Sequence, residues 1–160
     1  MSNSSKYFAG QLNLQTKLFN NATVGVSDAD STTRLNDHTN HIAWLSGHVV
    51  STRYMLASVF GLSAQEPFPT LFTNGKGLDP DATYPSMAEL RKDWDSISAQ
   101  LASAVENLTE EALGQKMPNP VPTGDTLGDF LNFILHHEAY TIGQLGIARK
   151  FFGLEAMKYN

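Results

Sequence analysis

The stretch Thr126–Phe152, TLGDFLNFILHHEAYTIGQLGIARKFF, decides the fold. It is the longest uninterrupted helical pattern in the chain. At about 1.5 Å per residue it spans roughly 40 Å, the height of a small bundle. Thr126 with Asp129 three residues on is an N-cap pair, and Gly153 is a natural stop beyond the last turn. With a turn of about 100° per residue, Leu127, Phe130, Ile134, His137, Thr141, Leu145, Ala148 and Phe152 share one stripe. Phe133, Tyr140, Ile147 and Phe151 form a second line beside it. An apolar arc this wide exceeds one core face. The helix is therefore expected to be covered twice, by its own bundle and by either a second chain or the long loops. His137 lies inside the stripe, so an ionisable ring is directed inward.

Working outward, the chain of 160 residues is long enough for a real core and reads as a single domain, 1–160. Apolar residues at 41% and charged ones at 17% describe a globular chain. The absence of Cys excludes disulfides, thiolate metal sites and a cysteine nucleophile. MSNSSKYFAG lacks a basic segment followed by an apolar run, and no stretch approaches 18 continuous apolar residues. A soluble, cytoplasmic protein with no membrane partner is expected. The net charge of −5 and the scattered eleven Lys and Arg argue against nucleic acid as a partner.

Three further helices are predicted. Ser5 to about Asn20 places Phe8, Leu12, Gln15, Leu18 and Phe19 at helical spacing. Residues 21–38 are a polar connector with one helical turn near Ser27. Asn40–Gly61 is the second long helix, with His41, Leu45, His48, Thr52, Met55 and Val59 on a stripe and Trp44 and Leu56 at its edges. Gly47, costing roughly 1 kcal/mol against Ala in a helix interior, suggests close approach of a neighbouring backbone. Residues 62–85 hold four prolines and read as a long crossover loop, with a turn at Asn74-Gly75-Lys76-Gly77. Ser86-Met87-Ala88-Glu89 is a capping box for a third long helix reaching about Asn107, on which Met87, Leu90, Trp94, Ile97 and Leu101 recur by threes and fours. Residues 109–125 are a second loop with three prolines and a short turn at Thr109–Leu113. No period-2 strand is expected anywhere. The fold class is all-α, a four-helix bundle.

Five histidines carry the chemical question. His48 and His137 fall in the middle of inward stripes on two helices, the way bundles build metal sites. Neutral imidazole suits Zn, Ni, Cu or Fe, but a core histidine satisfied by one hydrogen bond is the plainer reading, and the residues leave both open. Catalytic zinc normally has three protein ligands plus water. The natural third position, one turn beyond His137, is Thr141, a poor ligand that would leave two-thirds of a site. His136 and Glu138 are rotated off the face. Glu138 reads as a solvated acid and Tyr140 as a packing aromatic. His41 is too far along its helix to reach the same ion, and His38 and His41 read as ordinary exposed residues at a helix start. Trp44 and Trp94 are assigned to the core.

Two segments carry a resemblance. His41-Ile-Ala-Trp-Leu-Ser-Gly-His48 and His137-Glu-Ala-Tyr-Thr-Ile-Gly-Gln-Leu-Gly146, with Tyr84-Pro-Ser-Met87 and Leu154–Tyr159, resemble the DinB-like (YfiT-like) superfamily over essentially the whole chain. The resemblance implies an up-down-down-up bundle with a crossover between helices two and three, often a homodimer. It also implies a divalent metal on three histidines. Carried over, two ligands fall on His48 and His137 and the third on Thr141, so binding of Zn or Ni is expected to be weak or absent. Relatives include thiol-dependent S-transferases and isomerases. The implied function is a metal-dependent transferase acting with a low-molecular-weight thiol. The alternative is a non-catalytic small-molecule-binding or stress-response bundle that has lost the metal.

Overall fold

Every long helix begins on a side chain that closes its first turn. The computed structural model describes residues 2–72 and 75–159. Helix α1, Asn3–Thr23, is capped by Ser2, whose hydroxyl accepts from the Ser5 amide. Turn α2, Asp28–Ser31, follows Ser27 as its cap, where the polar connector was expected to form one turn. Helix α3, Ile42–Val59, is capped by His41. Helix α4, Met87–Glu106, has the full capping box of Ser86 with Glu89. Turn α5, Glu110–Leu113, is capped by Thr109. Helix α6, Leu127–Phe151, has a second capping box, Thr126 with Asp129. Such caps each contribute about 1 kcal/mol by satisfying amides the helix leaves unpaired.

The four long helices form a ring in which α1 and α3 each pack against both α4 and α6. Cross-contacts set their directions. Ser5 meets the carbonyl of Glu106 while Arg91 reaches that of Thr23, so α1 and α4 are antiparallel. Ser4 lies against Glu110 at one end of α1, and Arg149 meets the Asn21 and Ala22 carbonyls at the other, where α6 ends, so α1 and α6 run the same way. His41 packs on Tyr84 just before α4, and Arg53 bonds Ser98 farther along, so α3 and α4 are parallel. The order is up-down-down-up. A parallel α3–α4 pair requires the connection to travel the whole bundle height, and residues 60–86 do so.

The interior is filled by Leu12, Phe19, Leu56, Leu90, Trp94 and Leu101, all at most 1% exposed. Phe19 stacks on Trp94 at 4.3 Å between centroids. Burying a side chain of this kind stabilises by about 1.5–3 kcal/mol. The α4 periodicity survives intact from Met87 to Leu101, after which Val105 takes the core position. Trp44 is buried, as expected of it.

Several expectations are corrected. Helix α6 buries a wider face than its predicted stripe: Leu127, Ile134, Thr141, Leu145 and Ala148 are buried as expected, and Leu131, Leu135, Glu138, Ile142 and Arg149 are buried beside them. The second apolar line is not covered by the loops; Tyr140, Ile147 and Phe151 are each at least 60% exposed. Met55 and Val59 likewise face outward on α3. Gly47 does accommodate a close neighbour, but a ring and not a backbone: a Cβ there would sit 2.1 Å from the Phe72 ring. Residues 116–126 are not a plain loop. Strands β1, Lys116–Val121, and β2, Gly124–Thr126, form an antiparallel hairpin with an irregular register between Lys116↔Thr126 and Val121↔Gly124. Gly124, at φ +145°, delivers the chain into α6, and a Cβ there would collide with the capping carboxylate of Asp129. Of the turn expected at 74–77, Asn74 lies outside the described residues; Gly75 has φ +68°.

Candidate functional site

Two independent caps place the histidines. His41 Nδ1 accepts from the Trp44 amide at 3.0 Å and starts α3, so that His48 comes two turns later. The Thr126–Asp129 box starts α6. Because α3 and α6 pass in opposite directions, His48 and His137 meet where they cross. Their Nε2 atoms lie 2.9 Å apart, with ring planes at 72°. Trp44, one turn before His48, stacks on its ring at 4.8 Å and 14°. The pairing expected from the two stripes is therefore present.

Both rings are half-buried and held neutral. Burial, reinforced by the neighbouring His137, pushes His48 down to about 4. Burial also lowers His137, against a pull upward from Glu138. A neutral pair forms one N–H···N hydrogen bond, one ring donating and the other accepting. His137 Nδ1 is buried with no partner.

The pair stands on the wall of a cavity of about 580 Å³ between α3, α6 and the crossover loop. Met55, Phe133 and Ile134 supply apolar walls, and Ala64, Glu66 and Phe72 come from the loop. Phe72 is 3% exposed and seated in the notch left by Gly47.

The remaining expected positions sort differently. Thr141 is 3% exposed, and its hydroxyl donates to the His137 carbonyl at 3.0 Å, so it is spent on its own helix. His136 is exposed. His41 is not an exposed residue at a helix start; it is buried, caps α3 and packs edge-on against Tyr84. Tyr140 is exposed and packs on nothing in its own bundle's core. Glu138 is not solvated. It is fully buried and forms a two-pronged salt bridge with Arg53, Nε to Oε1 at 2.8 Å and Nη2 to Oε2 at 2.9 Å. Arg53 also donates to Thr16 Oγ1 and the Leu12 carbonyl on α1 and to Ser98 Oγ on α4, and it lies 3.5 Å over the Trp94 ring. One guanidinium on α3 thus holds the other three long helices. Pattern reading passed over Arg53, although it is the single Lys, Arg, Asp or Glu in α3.

Two imidazole nitrogens converge and are neutral, as metal ligands must be. No third donor joins them: among the described residues no group of three His, Asp or Glu side chains is spaced to hold an ion. A ligating histidine normally donates its other ring N–H to an acceptor, yet His137 Nδ1 has none. The described residues therefore supply two of the three protein donors that a catalytic zinc normally has.

The comparisons agree on the fold. A family model described as the DinB superfamily matches residues 11–145. The DinB-like protein YjoA from Bacillus subtilis, a crystal structure, superposes with a TM-score of 0.64 at 18% identity over 99% of each chain. YfiT from Bacillus subtilis, described as "a probable metal-dependent hydrolase with an unusual four-helix bundle topology", gives a TM-score of 0.60 at 17% identity, covering 97% of this chain and 91% of its own. Uncharacterized protein YuaE of Bacillus subtilis strain 168 is 29% identical over 68 residues. That match spans 42% of this chain and 42% of YuaE. No helix among the described residues is long and apolar enough to cross a membrane.

Proposed function

The chain belongs to the DinB superfamily, and from that premise we propose that it is a small-molecule-binding bundle in which a hydrogen-bonded pair of neutral histidines stands in place of a metal centre. The observation that supports this is the 2.9 Å Nε2···Nε2 contact with no third donor beside it. The cavity over the pair is in the range that takes small ligands, roughly 300–1,000 Å³. Thr141 is the residue that withholds the third nitrogen. Metal analysis of untagged protein is expected to find far less than one Zn or Ni per chain, and the melting temperature should not move when either is added. Thr141→His should bind the same ions, with stabilisation of about 2.7 kcal/mol at a hundredfold excess over Kd. Wild-type protein that binds as tightly as the variant removes the basis of this reading.

One observation favours a second reading. Two imidazoles bound at about 2.1 Å and about 90° to one ion would also stand roughly 3 Å apart. In that case His48 and His137 would hold an exchangeable Zn or Ni, and the family's metal-dependent chemistry, S-transfer with a low-molecular-weight thiol or hydrolysis, would apply. Stoichiometric metal in the wild-type protein decides for it.

The exposed line of Tyr140, Ile147 and Phe151 is proposed to pack against the same line of a second copy. Sedimentation should show a dimer that Ile147→Glu converts to monomer. A wild-type monomer at all concentrations ends that proposal.

A further inference from the structure

The wall of the cavity carries an uneven charge. Among the described residues lining it, Glu66 is the single Lys, Arg, Asp or Glu. Glu66 comes from the crossover loop, not from the helices that supply the histidines. Its Oε1 is sealed from solvent and has no hydrogen-bond partner among the described residues. A carboxylate oxygen accepts only, and one removed from water without a donor carries a desolvation cost that a donor recovers. Neither histidine supplies it: their Nε2 atoms are engaged with each other, and His137 Nδ1 likewise has no partner among the described residues.

We propose that the cavity selects a small organic cation, a primary or secondary amine with an apolar body, and that Glu66 receives its ammonium group. This rests on the cavity being a small-molecule site. Phe72 and Phe133 offer aromatic surface, which attracts cations as well as apolar groups. A carboxylate or thiolate ligand would instead meet Glu66 with no basic side chain on the described wall to offset the repulsion.

The test uses the full chain at pH 7.5 with chelator present, and three probes of one shape: benzylamine, benzyl alcohol and benzoate. Binding is read from the ring resonances of His48 and His137 and from the melting temperature. Benzylamine should perturb both rings and raise the melting temperature. Benzyl alcohol should bind at least about tenfold more weakly, the scale of a charge-assisted hydrogen bond, and benzoate should not bind. Glu66→Gln should lower benzylamine affinity by about tenfold without lowering the unliganded melting temperature. Should the three probes perturb the histidines with similar affinity, or Glu66→Gln bind benzylamine as wild type does, the cation inference is overturned and the cavity reading stands. Should no probe reach the histidines, the cavity reading falls and the inference goes with it.

Discussion

Helices α3 and α6 are joined by two side-chain pairs, five residues apart on one helix and adjacent on the other. Arg53–Glu138 is fully buried, and its donors are taken up by a carboxylate, two hydroxyls and a carbonyl drawn from three other helices. His48–His137 is half-buried, shares one contact, and leaves Nδ1 of His137 without a partner. The first pair is saturated and closed. The second is under-satisfied and open to a cavity. Low dielectric raises the stakes of both, but only the second has capacity left for a visitor. The open pair is thus separated from the closed one by a rotation of about 100° on α6, the angle between residues 137 and 138.

The largest effect should come from breaking the closed pair. Glu138→Gln leaves Arg53 as an unpaired buried charge and should cost about 3–5 kcal/mol, a fall in melting temperature of about 10 °C or more. A loss below about 1 kcal/mol in urea unfolding would mean that Arg53 is not the hub described here. The open pair should speak through pH. His48 titrates near 6.5 unfolded and about 4 folded, so the unfolded chain takes up the proton first. Stability is then fully present above about pH 6.5 and is lost as pH falls towards 4. After discounting for the partial exposure of the ring, the loss is on the order of 1–2 kcal/mol. Urea melts at pH 7 and 4.5 measure it, and His48→Leu should remove its share of the slope. The smallest effect is that same substitution at pH 7. One neutral hydrogen bond is exchanged for apolar burial, and the change should stay within about 1 kcal/mol. A His48→Leu cost equal to that of Glu138→Gln would erase the distinction between the pairs.

The sequence made the helices legible because apolar spacing and capping residues are local. It made His48 and His137 legible because each lies near the middle of a long inward-facing pattern. The same apolar spacing is silent on Arg53 and makes Glu138 read as a solvated acid, because a charge can only fall off an apolar face. The usable signal was an Arg without charged neighbours in α3 and a Glu alone in the middle of α6, opposite charges that can be buried only together. His41 was missed as a cap because a ring nitrogen does the work normally given to a hydroxyl or carboxylate. The hairpin was hidden by Pro118 and Pro120 in β1, which lack the N–H a ladder uses and break the expected alternation. Tyr140, Ile147 and Phe151 on the second line of α6 are exposed in the single chain.

The seat of Phe72 against Gly47 has a consequence for how the site could be retuned. A helix that lacks one side chain at that point lets a loop ring rest on its backbone, so the depth of the roof is set by a single hydrogen atom. Any methyl group added there must displace the ring, which lines the same cavity as Glu66. Capacity and admission would then change together, with the two imidazoles and the helices beneath them left as they are.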